Sequence, residues 1–279
     1  MRLVTFSVAG GPPRPGALIV DAGLVADLTA AGYTDSLEAI IAGIPLAGRP
    51  EAYPCHKLKD VRLHAPLSNP PRIFAIGLNY RDHAAESKMA LPPVPVVFFK
   101  MPAAIIGPGE SIVLPRDTAE PDYEAELAFV IGKGGYRIPA SEWRSHVYGY
   151  TIINDVSARD VQRATSQWSL AKSFPTFCPM GPAIVPAAQV SDPHELDISL
   201  SINGEVLQSS NTRQLVFKVP DLIAYISSIT PLLPGDIVST GTPGGVGMGR
   251  NPQRWLRPGD TVTVTLQGLG SLVNPVVAE

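Results

Sequence analysis

Asp122-Tyr123-Glu124-Ala125-Glu126-Leu127-Ala128-Phe129-Val130-Ile131 sets an apolar, β-favouring run directly behind two glutamates. The run is closed by Gly132, Gly134 and Gly135, and reads as one strand over residues 123–131. Leu127, Phe129 and Val130 indicate that this strand is substantially buried. Side chains alternate faces along a strand, so Glu124 and Glu126 point the same way, with Cα atoms roughly 6–7 Å apart. Two like charges on a buried strand are costly unless a cation lies between them or one is protonated. Oxygen-only ligands suit a hard ion such as Mg²⁺, Mn²⁺ or Ca²⁺. Taken alone, the pair reads equally well as an edge strand whose glutamates meet Lys or Arg.

Outward from this segment the chain alternates short β-like runs with few helices. Strands are predicted at residues 17–20, 73–76, 96–100, 147–153, 196–202, 236–240 and 261–266. Asn203-Gly204 marks a hairpin turn after the strand at 196–202. Helices are predicted at 36–42, 158–166 and 219–229, and a short helix or loop at 81–89. The fold class is therefore α+β, dominated by short strands, without internal repeats. A proline-rich stretch at 66–71 reads as a linker. It divides a small N-terminal domain, residues 1–68, from a mixed domain, residues 69–279.

The 279 residues are 45% hydrophobic and carry a formal charge of −3, which permits a real core and argues against nucleic-acid or anionic-membrane partners. Cys55 and Cys178 are the two cysteines and fit no zinc or redox spacing, and the five histidines are scattered. Residues 1–10 lack the pattern of a secretory signal, and no run approaches the length of a membrane helix. A cytoplasmic location with reduced thiols is the expectation.

Four further segments carry chemistry. Asp155, in Ile153-Asn154-Asp155-Val156-Ser157, follows a β-branched strand at a strand-to-helix turn and reads as a metal ligand or a helix N-cap. Lys172, in Leu170-Ala171-Lys172-Ser173-Phe174, is flanked by apolar residues and reads as a half-buried cation beside an anionic site or as a snorkelling surface lysine. His83 and Glu86 are three residues apart, so a helical turn sets them on one face as a candidate acid–base pair. The glycine-rich run from Ser239 to Gly249 matches no nucleotide-binding pattern, but it allows close backbone approach to a ligand and offers the Thr242 hydroxyl.

In this order the segments GLNYRDHAAE (77–86), DYEAELAFVIGK (122–133), INDVSARDVQ (153–162), LAKSF (170–174) and LLPGDIVSTGTPGGVG (232–247) resemble the fumarylacetoacetate hydrolase family. The resemblance spans about residues 70–275. It implies the family's mixed β-roll, in a homodimer, with a small N-terminal domain. It implies that Glu124, Glu126 and Asp155 hold Mg²⁺ (Mn²⁺ or Ca²⁺ being possible), that His83 with Glu86 activates water, and that Lys172 steadies developing negative charge. Gln162 and Thr242 match substrate-holding residues, and residues 84–95 match a lid. The activity implied is metal-dependent hydrolysis of a C–C bond in a small 2-oxo or 2,4-dioxo acid, such as an acylpyruvate, fumarylpyruvate or a diketo-deoxy sugar acid. Decarboxylation or tautomerisation of a 2-oxo-dioate, or C–N cleavage as in ureidoglycolate lyase-like relatives, would use the same site. A non-catalytic oxo-acid binding protein with structural Ca²⁺ would instead place His83 or Lys172 away from the metal. Leu78 stands where several acylpyruvate-cleaving relatives carry arginine, which widens the implied substrate class.

Overall fold

The strand at the centre of the sequence reading is buried on both faces. Along Ala125–Ile131, Ala125, Leu127, Phe129 and Ile131 join one apolar cluster, while Ala128 and Val130 join another on the opposite side. The period of two that orients the glutamates therefore also drives the strand between two layers. The computed structural model describes residues 1–44 and 53–279.

A twelve-stranded sheet forms the middle layer. Its central order is Cys178–Pro186, Val147–Asn154, Ala125–Ile131, Ile237–Ser239, Ile73–Gly77 and Val96–Lys100. These neighbours run antiparallel except Ile237–Ser239 with Ile73–Gly77, which is parallel. A second sheet of five strands carries the hairpin Asp197–Ile202 and Glu205–Asn211, followed in order by Thr261–Leu266, Gly270–Ala278 and Ile112–Leu114. Its inward residues Ile198, Leu200, Val262 and Val264 pack on the same cluster as Leu127 and Phe129. The helix Val219–Ile229 adds Leu222, Ile223 and Ile226 to that cluster, the spacing expected of one helical face.

The opposite face is covered by the N-terminal residues. Arg2–Val8 pairs antiparallel with Cys178–Pro186, so the N-terminal strands extend the main sheet at one edge. Leu3, Ala17 and Ala39 share a cluster with Ala128, Val130 and Ile153. The 68/69 division falls between the strands Val61–His64 and Ile73–Gly77.

Most predicted elements form, with local corrections. The strand expected over 123–131 breaks at Tyr123 and Glu124, leaving Pro121–Asp122 and Ala125–Ile131. The break arises because side chains replace the ladder: Glu124 N–H donates to Asn154 Oδ1 at 3.0 Å, and Ala125 N–H donates to Gln208 Oε1 at 2.9 Å. The helix expected over 158–166 is shorter, Arg159–Ala164, and the strand over 236–240 contracts to Ile237–Ser239. The Asn203-Gly204 turn forms with both residues at positive φ, 53° and 88°, as a two-residue hairpin needs. The nine-residue strand Cys178–Pro186 was hidden by Pro179, Pro182 and Gly181. It is accommodated by a register shift opposite Tyr150 to Ile152. Gly149 also permits it, since a Cβ there would lie 2.3 Å from the Val185 carbonyl oxygen. No described helix is long and apolar enough to cross a membrane.

Phe129 is fully buried at the middle of the sheet. Phe129→Ala is expected to lower unfolding free energy by about 3–5 kcal/mol, read as a lower midpoint in urea denaturation.

Candidate active site

Two chain segments deliver the acidic side chains to one end of the central strands. Ala125 is in register with Asn154, so Glu124 and Glu126 flank the point where Asp155 leaves the neighbouring strand. Asp155 N–H donates to the Glu124 carbonyl at 2.9 Å, which locks the two segments together. One carboxylate oxygen from each of Glu124, Glu126 and Asp155 lies within 4.8 Å of the others, and all three residues are buried.

Such a cluster survives burial only with compensation. Lys172 Nζ donates to Glu124 Oε2 at 2.7 Å and to Asp155 Oδ2 at 2.6 Å. Arg159 Nη2 donates to Glu124 Oε1 at 2.5 Å, and its Nε donates to Asp122 Oδ2 at 2.8 Å. Lys100 Nζ donates to Asp155 Oδ1 at 2.6 Å and to the Lys172 carbonyl oxygen. Among the described residues, Glu126 pairs with no such cation and accepts the Ser239 hydroxyl at 2.5 Å and Gly241 N–H at 3.0 Å.

The titration behaviour follows this division. Burial opposes ionisation of Glu124, but Lys172 and Arg159, with a smaller contribution from His83, hold its carboxyl well below the usual range. Burial, together with the negative charges of Asp155 and Glu124, pushes Glu126 up to about 8. Burial would lower Lys172, but Asp155 and Glu124 outweigh it and raise its pKa. Two carboxylates are thus neutralised by protein cations while the third still lacks positive charge. An all-oxygen donor set of this kind fits a hard divalent ion, with Glu124, Glu126 and Asp155 as the protein ligands.

A cleft of about 650 Å³ opens onto the cluster. It is lined by Glu124, Glu126, Lys172, His83, Gln162, Thr242 and Glu86. Seven of the eight residues singled out from the sequence therefore line one cavity, and Asp155 completes the acidic cluster they surround. His83 Nδ1 is buried without a hydrogen-bond partner and lies 3.6 Å from Glu86 Oε2, close to but outside hydrogen-bond range. Both Glu86 oxygens accept Gly245 N–H at 3.0 Å. Burial resists ionisation of Glu86, but His83 beside it and this N–H outweigh it and keep the carboxyl low. Gln162 Oε1 accepts from Arg159 Nη1 at 2.9 Å, which leaves its amide N–H groups for a ligand. Thr242 Oγ1 accepts from Gln208 Nε2 at 2.9 Å, so its own proton remains available.

Three readings are refined. Asp155 is not a helix cap: the helix Arg159–Ala164 has no side-chain cap, and Asp155 is spent on Lys100 and Lys172. Lys172 is not a half-buried lysine facing substrate alone: it is buried and bridges two of the carboxylates. The reading that needs His83 or Lys172 away from the acidic cluster does not match their common cleft.

Sequence reasoning missed Arg159, Lys100 and Asp122. Arg159 sits inside the quoted segment 153–162, and its helical spacing to Gln162 was the available signal. Lys100 ends the apolar strand Val96–Lys100, where a lysine ordinarily reaches solvent; it is instead 1% exposed. Asp122 accepts Gly247 N–H at 2.7 Å and Met248 N–H at 3.1 Å, tying the glycine-rich loop to Arg159. Leu78, also on the cleft wall, sits at φ 53°, a costly setting for leucine. The next residue holds it there: Asn79 bonds the Phe217 N–H and carbonyl and the Thr240 carbonyl, at 2.8–3.0 Å.

Residues 72–277 match the family model described as fumarylacetoacetate (FAA) hydrolase C-terminal. The chain is 42% identical to the mitochondrial oxaloacetate tautomerase fahd2 of Xenopus laevis, over 99% of this chain and 90% of that protein. Its fold matches the fumarylacetoacetate hydrolase of psychrophilic Exiguobacterium antarcticum with a TM-score of 0.89 and 36% identity, covering 100% of both chains. It also matches the maleylpyruvate hydrolase of Sphingobium sp. SYK-6, solved with manganese(II) and pyruvate, with a TM-score of 0.83 and 31% identity, covering 100% of this chain and 99% of that one.

Lys172→Met removes the cation shared by Glu124 and Asp155. In EDTA it is expected to cost about 3–5 kcal/mol of stability. Millimolar Mg²⁺ should restore more of the melting temperature in this variant than it adds to the wild type, as differential scanning calorimetry would show.

Proposed function

The chain belongs to the fumarylacetoacetate hydrolase family of oxo-acid enzymes, and from that membership we propose that it is a divalent-metal-dependent tautomerase of a short 2-oxo-dioate, with oxaloacetate as the representative substrate. The observation that carries the reading is the convergence of Glu124, Glu126 and His83 on one cleft, with Asp155 completing the acidic cluster beside it. The near full-length similarity to an oxaloacetate tautomerase supports interconversion of keto and enol forms over C–C hydrolysis as the leading activity. The all-oxygen donor set suits Mg²⁺ or Mn²⁺.

A divalent ion held by the three carboxylates would supply a Lewis acid to the adjacent oxo and carboxylate oxygens of the substrate. The remaining work falls to the chain's own groups. His83, through the ring nitrogen that does not face Glu86, takes the proton from the carbon next to the oxo group while the oxo oxygen gains a proton from water, and the reverse direction runs the same transfers backwards. Glu86, whose Oε2 lies 3.6 Å from Nδ1, orients the ring. Lys172 has three N–H donors and spends two on Glu124 and Asp155, so the third can meet the oxygen on which negative charge develops. Gln162 N–H and the Thr242 hydroxyl orient the bound acid. The Phe98 and Trp168 rings, 5.6 Å apart and edge-on, close one wall with apolar surface. The same His83–Glu86 pair would activate water in a hydrolase, so the identity of the products separates the two activities.

With Mg²⁺, the wild type should speed the decay of oxaloacetate enol absorbance while mass is conserved. His83→Gln should lower kcat by about 10²–10⁴-fold with little change in the amount of bound metal. Release of pyruvate and CO₂, or of two acids from an acylpyruvate, at a rate above that of enol conversion would overturn the tautomerase reading.

A further inference from the structure

We propose that Arg163 recognises the distal carboxylate of the substrate and so restricts this site to dioates; the inference rests on the 2-oxo-dioate reading above. Among the described residues lining the cleft, the permanent cations are Arg159, Lys172 and Arg163. The first two are committed. Arg159 is 3% exposed and bonds Asp122, Glu124 and Gln162, and Lys172 is equally buried and bonds Glu124 and Asp155. Their charge is used in holding the acidic cluster together.

Arg163 differs in both respects. Its side chain is 52% exposed, and its ion-pair partner is Glu120, itself 25% exposed. An ion pair so open to water is weak and readily exchanged. Arg159, Gln162 and Arg163 stand at i, i+3 and i+4 of the helix Arg159–Ala164, so one helical face presents all three to the cleft. Arg163 is one turn, about 5–6 Å, beyond the arginine that touches Glu124. An oxo-acid gripped at the carboxylate cluster extends its other end away from that cluster, toward this part of the wall. The cleft lining also offers Leu78, Met89 and Trp168, which cannot hold a second negative charge. Glu86, also in the lining, would repel it. The guanidinium fork of Arg163 can leave Glu120 and take a carboxylate through two parallel N–H bonds.

The test uses the full-length chain with Mg²⁺ and isothermal titration with two probes. Oxalate presents the gripping end alone, and oxaloacetate adds the distal carboxylate. Arg163→Gln is expected to weaken oxaloacetate at least tenfold and to leave oxalate within twofold. Glu120→Gln, which frees the arginine, should bind oxaloacetate as tightly as the wild type or more tightly. Equal weakening of both probes by Arg163→Gln, no weakening of either, or a loss with Glu120→Gln matching that of Arg163→Gln would overturn the proposal. Enol conversion by the wild type is read in parallel. If oxaloacetate binds without being tautomerised, the catalytic reading fails, while the role of Arg163 still stands or falls on the dissociation constants.

Discussion

Three carboxylates buried within 4.8 Å of one another are the constraint around which the molecule is arranged. Their mutual repulsion would expel at least one to solvent if the chain did not surround them with cations. Lys172, Arg159 and Lys100 are each nearly inaccessible, and each is aimed at this cluster. The compensation is uneven. Glu124 is overwhelmed by positive neighbours, whereas among the described residues Glu126 accepts hydrogen bonds from a hydroxyl and a backbone N–H. That asymmetry leaves Glu126 as the carboxylate still short of positive charge, at the point where a hard cation would fit.

The layers of the fold exist to hold this geometry. Burying the strand Ala125–Ile131 on both faces fixes the direction of Glu126, and pairing with Val147–Asn154 fixes where Asp155 emerges. Asn154 and Gln208 take over the backbone donors where the ladder breaks, so Glu124 can turn toward its partners without leaving an orphan N–H. Asp122 then couples the cluster to the glycine-rich loop through Arg159, and Asn79 couples the His83 turn to the loop after Ile237–Ser239. The cleft is assembled from segments far apart in sequence but rigidly tied at its base.

Much of this was legible in the chain. Alternation located the central strands, the Asn203-Gly204 pair located a hairpin, and the glutamate spacing located the anionic cluster. What escaped had a physical reason in each case. Cys178–Pro186 carries three prolines and a glycine, which speak against a strand until a neighbouring irregularity absorbs them. The β-favouring composition of 123–131 extended one strand too far, because side chains from distant Asn154 and Gln208 decide where the ladder stops. Lys100 and Arg159 looked like ordinary surface cations, since nothing local reveals that a carboxylate from another segment lies opposite. Lys172 was singled out for its apolar neighbours, but its two acceptors, Glu124 and Asp155, come from separate chain segments and could not be read from its own surroundings. Residues near in sequence supplied the elements, while long-range charge pairing supplied the site.

The central claim is that Glu124, Glu126 and Asp155 together hold a single hard cation. Titration of Mn²⁺ into the full-length chain, with the free ion followed by electron paramagnetic resonance, tests it without reference to substrate or turnover. The account predicts one tight site per chain, lost in both Glu126→Ala and Asp155→Ala. Unchanged stoichiometry and affinity in those two variants would contradict it.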